Sequence, residues 1–87
     1  MMNGERLLLE RITVKPHILN GRPILREKGL TVEVVLALLA EGATYELVLQ
    51  MHPDLEREDI LACLTYASYL VAGKALPERF TTSDDDA

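Results

Sequence analysis

Several features that define common protein classes are scarce or absent in this chain of 87 residues. Cys63 is its single cysteine, so no internal disulfide can hold the fold together. The longest run of apolar residues, 34–40, spans seven positions, whereas a membrane-spanning helix needs roughly 20. The N-terminus shows no secretory signal pattern. Together these absences predict a soluble protein in the reducing cytoplasm, with no membrane as partner.

The residue patterns of common reaction and metal centres are also missing. The chain has no glycine-rich phosphate loop and no nucleophile elbow. Its two histidines, His17 and His52, are 35 positions apart, with no Cys or His at metal spacing. A nucleophilic Cys63 would need a positioned base, and the sequence indicates none. We therefore expect no enzyme, no cofactor and no metal site.

Aromatic residues make up only 5% of a chain that is 48% apolar, so the core is expected to be aliphatic. This composition excludes disorder for most of the chain, and the length allows one domain. No aromatic residue interleaves the basic ones, so stacking on single-stranded nucleic acid is not expected.

The net charge of −5 hides a split along the chain. Residues 1–31 carry six Lys/Arg and three Asp/Glu, a net of +3, whereas residues 32–72 carry one and seven, a net of −6. Either this basic arm pairs with the acidic body, within one chain or between two, or the arm meets a polyanion. The candidate contacts with a partner or with nucleic acid are Arg11, Lys15, Arg22, Arg26 and Lys28.

Strand and turn signals dominate the arm. Residues 7–14 predict a strand that ends before Pro16. Asn20 and Gly21 predict a turn, followed by a second strand over residues 24–26 and a second turn over 27–29. A two-stranded unit this small is not stable alone, so it must pack on helices or pair with a second copy.

Three helices are predicted after the arm, over residues 32–41, 45–51 and 56–72, because each range lies between residues that start and stop helices. Those residues are, in chain order, Thr31, Gly42, Thr44, Pro53, Asp54 or Glu56, and Gly73. The predicted fold class is mainly α, with a short N-terminal β-hairpin or arm before a three-helix bundle of helix-turn-helix or homeodomain type. Residues 1–10 form an extension with strand character, 11–73 form the domain, and 74–87 form an acidic, flexible tail.

The first and third predicted helices carry more apolar residues than one face can hold. In the first, the polar residues are Glu33 and Glu41, and a helix that is apolar all round must be covered all round. Uncovered apolar patches of this kind mark interfaces. We therefore expect a homodimer, with a candidate interface formed by Val34, Leu38, Leu61, Tyr69 and Leu70.

The second and third predicted helices have helix-turn-helix spacing, in which the last helix would enter the major groove of DNA with its first turn. That turn holds Glu56, Glu58 and Asp59 beside a single Arg57. Three carboxylates would be repelled by phosphates, whose neutralisation supplies most nonspecific affinity. The pattern favours a packing scaffold over a DNA reader, and leaves the basic arm as the better candidate for any nucleic-acid contact.

A larger set of residues keeps a characteristic order and spacing over residues 11–67. Its members are Arg11, Ile12, Thr13, Pro16, Ile18, Gly21, Arg22, Pro23, Ile24, Arg26, Val32, Val35, Leu36, Leu39, Ala40, Gly42, Thr44, Glu46, Pro53, Leu55, Asp59, Ile60, Leu64, Tyr66 and Ala67. The set resembles the small bacterial family called domain of unknown function 433. The resemblance implies a strand pair followed by a trihelical body. It also implies, for some members, an antitoxin paired with a PIN-domain ribonuclease toxin, while other members stand alone.

This chain departs from the family pattern at three places. After Arg26 the family continues Gly-Thr-Arg, whereas residues 27–29 here are Glu-Lys-Gly. Glu56 replaces the family's Thr or Ser before the last helix, and His52 replaces an aromatic residue. We therefore expect a small non-enzymatic binding protein, antitoxin-like or regulatory, that acts as a homodimer. The alternatives are a stand-alone structural or interaction protein with no nucleic-acid role, and a DNA-binding regulator that uses the basic arm.

Overall fold

The computed structural model describes residues 4–15, 21–26 and 28–76. Within these ranges the chain forms four helices and three short strands. They are α1 (Gly4–Leu9), β1 (Ile12–Thr13), β2 (Ile24–Leu25), β3 (Leu30–Thr31), α2 (Val32–Ala40), α3 (Tyr45–Met51) and α4 (Arg57–Ala72). The fold is mainly helical, as predicted, and its small antiparallel sheet has three strands instead of the two that the sequence indicated. The predictions for Pro16, His17, Asn20, Glu27 and tail residues 77–87 lie outside the described residues.

The first element is a helix where the sequence predicted a strand. In α1 Leu9 is fully buried and Leu8 is half-buried, while Leu7 remains exposed. Three leucines in a row have no strand alternation, leucine is a good helix former, and Glu5 lies in the first turn, where the helix dipole favours it. The predicted strand over residues 7–14 is therefore wrong at its start and survives as Ile12–Thr13.

The sheet has three strands in the order β1-β2-β3, all antiparallel. The chain turns at Lys28 and Gly29 and returns beside β2: the backbone N–H of Lys28 donates to the Leu25 carbonyl at 3.2 Å. Gly29 has φ +68°, a backbone angle that glycine adopts without steric cost. The sequence missed β3 because two residues are too few to show an alternating pattern.

The helix boundaries agree with the predicted caps. Thr31 Oγ1 accepts from the Val34 N–H at 3.2 Å, and Thr44 Oγ1 accepts from the Leu47 N–H at 3.0 Å. Glu56 is the N-cap of α4, and Gly73 ends that helix with a left-handed φ of 71°. Thr31 is also the last residue of β3, so the sheet leads into α2 without a linker.

The core lies between the sheet and the helices and is aliphatic, as predicted. Its buried residues are Ile12, Leu25, Val32, Val35, Val48, Leu55, Ile60, Ala62 and Cys63. Burying an aliphatic side chain of Val, Leu or Ile size contributes about 1.5–3 kcal/mol. Because Ile12 and Leu25 come from the sheet, the strands are stabilised by packing on the helices of their own chain.

Candidate functional site

Six charged side chains meet where the sheet approaches the start of α4. They line an open depression and consist of Glu10, Arg11, Arg26, Lys28, Glu56 and Asp59. We call this cluster the charged junction. It contains three basic and three acidic groups, so its charges balance locally. None of the candidate residues of the arm was expected from the sequence to face Asp59.

Asp59 is the centre of the charged junction. Its side chain is only 2% exposed, and one carboxylate oxygen, Oδ1, accepts from Arg11 Nη1 at 3.1 Å. The other oxygen, Oδ2, accepts from the Glu56 N–H at 2.8 Å and lies 3.8 Å from Lys28 Nζ. A buried carboxylate needs this degree of compensation, because an unpaired charge in the interior is strongly unfavourable. Asp59 therefore ties the sheet to α4.

Arg11 holds two carboxylates at once. Its Nη1 donates to Glu56 Oε1 at 2.9 Å as well as to Asp59. The hydrogen bond to Glu56 is the largest cause that raises the pKa of Arg11 above its ordinary value, with Asp59 adding to the effect against the opposing influence of burial. Arg11 thus remains a cation that serves the fold.

The other basic residues of the arm also contact their own chain. Arg26 Nη1 donates to the Glu10 carbonyl at 2.8 Å, and Lys28 Nζ donates to the Asp54 carbonyl at 2.6 Å. Arg22 forms an ion pair with Glu33 of α2. Lys15, the fifth candidate, is exposed. Pairing between arm and body within one chain, one of the two predicted alternatives, is therefore present at three of the five positions, Arg11, Arg22 and Lys28, while Arg26 contacts Glu10 of the N-terminal part.

The first turn of α4 is occupied by packing interactions. Glu56 and Asp59 bind Arg11, and the Arg57 guanidinium lies 5.1 Å from the centroid of the Tyr45 ring. That distance allows a cation–π interaction between α4 and α3. The helix start that would face DNA in a helix-turn-helix complex is thus used inside this molecule.

A second surface of different character lies between α2 and the second half of α4. It is an open groove lined by Pro23, Val32, Glu33, Leu36, Ala37, Ala40, Tyr66, Ala67 and Leu70. We call it the α2–α4 groove. Glu33 is its one charged lining residue, and Arg22 neutralises it. Leu70 is 57% exposed, so an apolar surface is open to solvent here.

The five candidate interface residues do not lie on one surface. Leu70 lines the α2–α4 groove, while Val34 is exposed on α2 outside the groove lining, and Leu38 and Leu61 are half-buried. The Tyr69 hydroxyl faces α1 and donates to Glu5 Oε1 at 3.0 Å. Sequence reasoning missed the alanines of the groove, because alanine fits a core, a surface or an interface equally well. The absence of charge over residues 60–72 was the available signal.

Cys63 lies in the core of α4 and has no exposed surface. Burial, and secondarily the charge of Asp59, raises the pKa of its thiol to about 12, so the reactive thiolate is scarce at neutral pH.

Within the described ranges no group of three or more His, Cys, Asp or Glu side chains is placed to hold a metal ion. Among the helices described, none is both long and apolar enough to span a bilayer.

These observations define a mainly helical protein whose small antiparallel sheet is tied to the last helix by a buried carboxylate. The family model described as Protein of unknown function (DUF433) matches residues 12–67. The chain belongs to that family, which confirms the resemblance found in the sequence. A search of the curated proteins found no match, and a search of the solved structures also found none. Helix α1 and the end of α4 lie outside the matched residues.

Proposed function

We propose that this chain is a small non-enzymatic binding protein, antitoxin-like or regulatory, that acts as a homodimer in the cytoplasm. The observation that carries the proposal is the contrast between the α2–α4 groove, which is open and apolar, and the basic arm, whose charges are mostly paired internally. A module with these two surfaces can assemble through one and contact a partner protein through the other.

Internal pairing of the arm supports a protein partner over DNA. To neutralise phosphates, Arg11 would have to leave a buried carboxylate, and Arg22 and Arg26 would have to leave exposed acceptors. Each exchange lowers the net gain from phosphate contacts, which supply most nonspecific DNA affinity. Arg22 and Arg26 keep about half of their side-chain surface exposed, so a protein surface can pack on them without displacing their internal acceptors.

Helices α2, α3 and α4 are proposed to form a three-helix bundle of helix-turn-helix type that serves as a scaffold. The support is the short connection between α3 and α4 and the use of α4's first turn for packing on Arg11 and Tyr45. In this proposal the bundle orients the arm and the groove, and does not itself enter DNA.

The partner class implied by the family resemblance is a PIN-domain ribonuclease toxin. The test is co-expression of the chain with the product of the neighbouring gene, followed by pull-down and mass determination of the complex. We expect a stable complex that is weakened by Arg26→Glu, while Lys74→Glu, the same change of charge at an exposed basic position outside the arm, serves as the matched control. A monodisperse protein that binds neither this neighbour nor its own promoter would overturn the proposal.

The alternative functions are separated by a titration with duplex DNA. Phosphate contacts are strongest at low salt, so a regulator that uses the basic arm must bind duplex DNA there. If no binding occurs at about 0.02 M salt, where electrostatic screening is weak, the DNA-binding alternative fails. A stand-alone interaction protein would in addition show no affinity for the neighbouring gene product.

A further inference from the structure

We infer that the α2–α4 groove is covered by the same groove of a second copy of this chain, with the two copies related by a two-fold axis. The inference rests on the proposed homodimer and adds which face the dimer uses and which side chains enter it. It places the interface on α2 and the second half of α4, and leaves the charged junction outside.

The groove carries a hollow and a projection on the same face. Its lining includes the small side chains of Ala37, Ala40 and Ala67, while Leu70 at its edge is 57% exposed and the adjacent Val71 is 89% exposed. In a two-fold interface a surface patch meets itself. Leu70 of each copy can therefore enter the alanine-lined hollow of the other, so that both copies bury their projecting side chains.

The low charge of the α2–α4 groove favours this face for contact between identical chains. Each copy has a net charge of −5, so most approaches bring like charges together. Residues 60–72 of α4 and 34–40 of α2 contain no charged residue, and Glu33 at the groove is already paired with Arg22. By contrast, the start of α4 exposes Glu56 and Glu58, and two copies meeting there would have to remove charged groups from water.

The same absence of charge argues for a second copy over a charged peptide. A basic or acidic segment would find no unpaired ionic partner among the residues that line the groove, and would gain only apolar contact there. A second copy has the same apolar surface as the groove. Its exposed Leu70 can fill the space above the small alanine side chains. This is the arrangement expected of a homodimer interface, whose buried centre is depleted in charge.

The test is sedimentation equilibrium of the full chain and of three variants over a wide concentration range. Wild-type protein is expected at twice the chain mass of 9.7 kDa. Leu70→Glu should weaken dimerisation on the order of 100-fold or more, because each copy would bury an unpaired carboxylate. Leu70 on α4 and Ala37 on α2, which is changed in the second variant, are both exposed. Circular dichroism checks that the variants remain folded.

Ala37→Lys provides the second, independent disruption. Ala37 is exposed in the middle of α2 and follows Glu33 by four residues, an arrangement in which Glu and Lys stabilise a helix. A monomeric Ala37→Lys protein could not be attributed to a weakened fold. Val34→Glu is the matched control: Val34 is on the same helix and is 40% exposed, but it does not line the groove, so this variant should remain dimeric.

Several outcomes would overturn the inference. If Leu70→Glu and Ala37→Lys dimerise like wild type, or if Val34→Glu alone becomes monomeric, the interface lies elsewhere and the proposed homodimer survives. A wild-type protein that stays monomeric removes both the groove interface and the dimer, while partner binding through the arm is still decided by the pull-down. A dimer that dissociates when NaCl rises from about 0.05 M to about 1 M would be held by charge pairs between copies, which the groove does not supply because Glu33 is already paired with Arg22.

Discussion

The two ends of α4 lie at surfaces of opposite character, one charged and one apolar. At its start, the charged junction brings six charged groups together and compensates them within one chain. In its second half, the α2–α4 groove presents apolar side chains and leaves them uncovered. The comparison shows that the charged residues counted along the arm are largely committed to the fold, whereas the uncharged stretch of α4 is what the molecule leaves available. Charge content in the sequence is therefore a poor guide to the surface that is free to bind.

The largest expected effect is on the labelling rate of Cys63. This residue lies on α4 between the charged junction and the groove, one turn after Asp59. With a pKa of about 12 in the folded protein and 9.0 as its ordinary value, its thiolate at pH 8 is on the order of 1,000-fold scarcer than in the unfolded chain. Iodoacetamide at pH 8 should label native protein at least that much more slowly than protein in urea. Rapid labelling of native protein would mean that α4 opens between the two regions.

The same thiol predicts how stability changes with pH. Because folding raises the pKa of Cys63, the folded state holds its proton at pH values where the unfolded thiol has lost it. The contribution to stability is complete below about pH 9 and is lost as the pH rises towards about 12. Urea unfolding of wild type and Cys63→Ala between pH 8 and 11 should show the steeper decline in wild type, and parallel curves would contradict the assignment.

Arg11→Met tests whether the junction holds the fold together. The change leaves Asp59 buried with Lys28 as its remaining cation at 3.8 Å, and removing one partner of a buried pair costs roughly 3–5 kcal/mol. Because Arg11 is 35% exposed, solvent screens the pair and we expect a smaller loss, about 2–3 kcal/mol, in urea unfolding. Arg22→Met is the control: its pair with Glu33 is exposed, and the expected loss is about 0–1 kcal/mol. Equal losses of unfolding free energy in the two variants would show that the Arg11 pair contributes no more to stability than the exposed Arg22 pair.

A double variant sharpens the same point. Arg11→Met combined with Asp59→Leu removes both members of the pair, so no buried carboxylate remains uncompensated. We expect the double variant to be less destabilised than the sum of the single changes by about 1–3 kcal/mol, the usual coupling of residues in one network. Additive losses in the double-mutant cycle would show that Arg11 and Asp59 act independently.

Leu70→Ala should have the smallest effect on the isolated chain. Leu70 is 57% exposed, and exposed substitutions usually change stability by less than about 0.5 kcal/mol. Once the groove is covered, the same change should lower the melting temperature more at high than at low protein concentration, because association stabilises only the folded state. A large loss at low concentration would place Leu70 in the core of the single chain.

The parts of the fold that the sequence predicted well depend on local chemistry. Thr31, Thr44 and Gly73 act through hydrogen bonds and backbone angles of their immediate neighbours, so the three larger helices were found almost to the residue. Helix α1 was mistaken for a strand because its leucines are followed closely by Ile12 and Thr13, which do form a strand. Its stability comes from packing on α4, which a local pattern does not contain.

The candidate site was predictable only in part, for a related reason. Segregation of charge indicated that arm and body could pair, but the partner of Arg11 lies 48 positions away in Asp59. The groove depends on which alanines α2 and α4 bring together, and alanine carries no signal of its own. The predicted interface residues Val34 and Leu38 were chosen from the excess of apolar residues on one helix. The packing of α2 against α4 shows that Leu70 lines the groove and that these two residues do not.

The ion pair between Arg22 and Glu33 lies between the two surfaces. The pair joins the arm to the edge of the groove, and the neighbouring Pro23 both lines the groove and accepts from the Val32 N–H at 3.0 Å. In the proposed dimer, a partner that took Arg22 from Glu33 would leave an unneutralised carboxylate where the two copies meet. Partner binding and self-association are then antagonistic, and each must weaken the other by the same factor. A dimer dissociation constant that did not rise when a ligand bound the arm would rule out this antagonism.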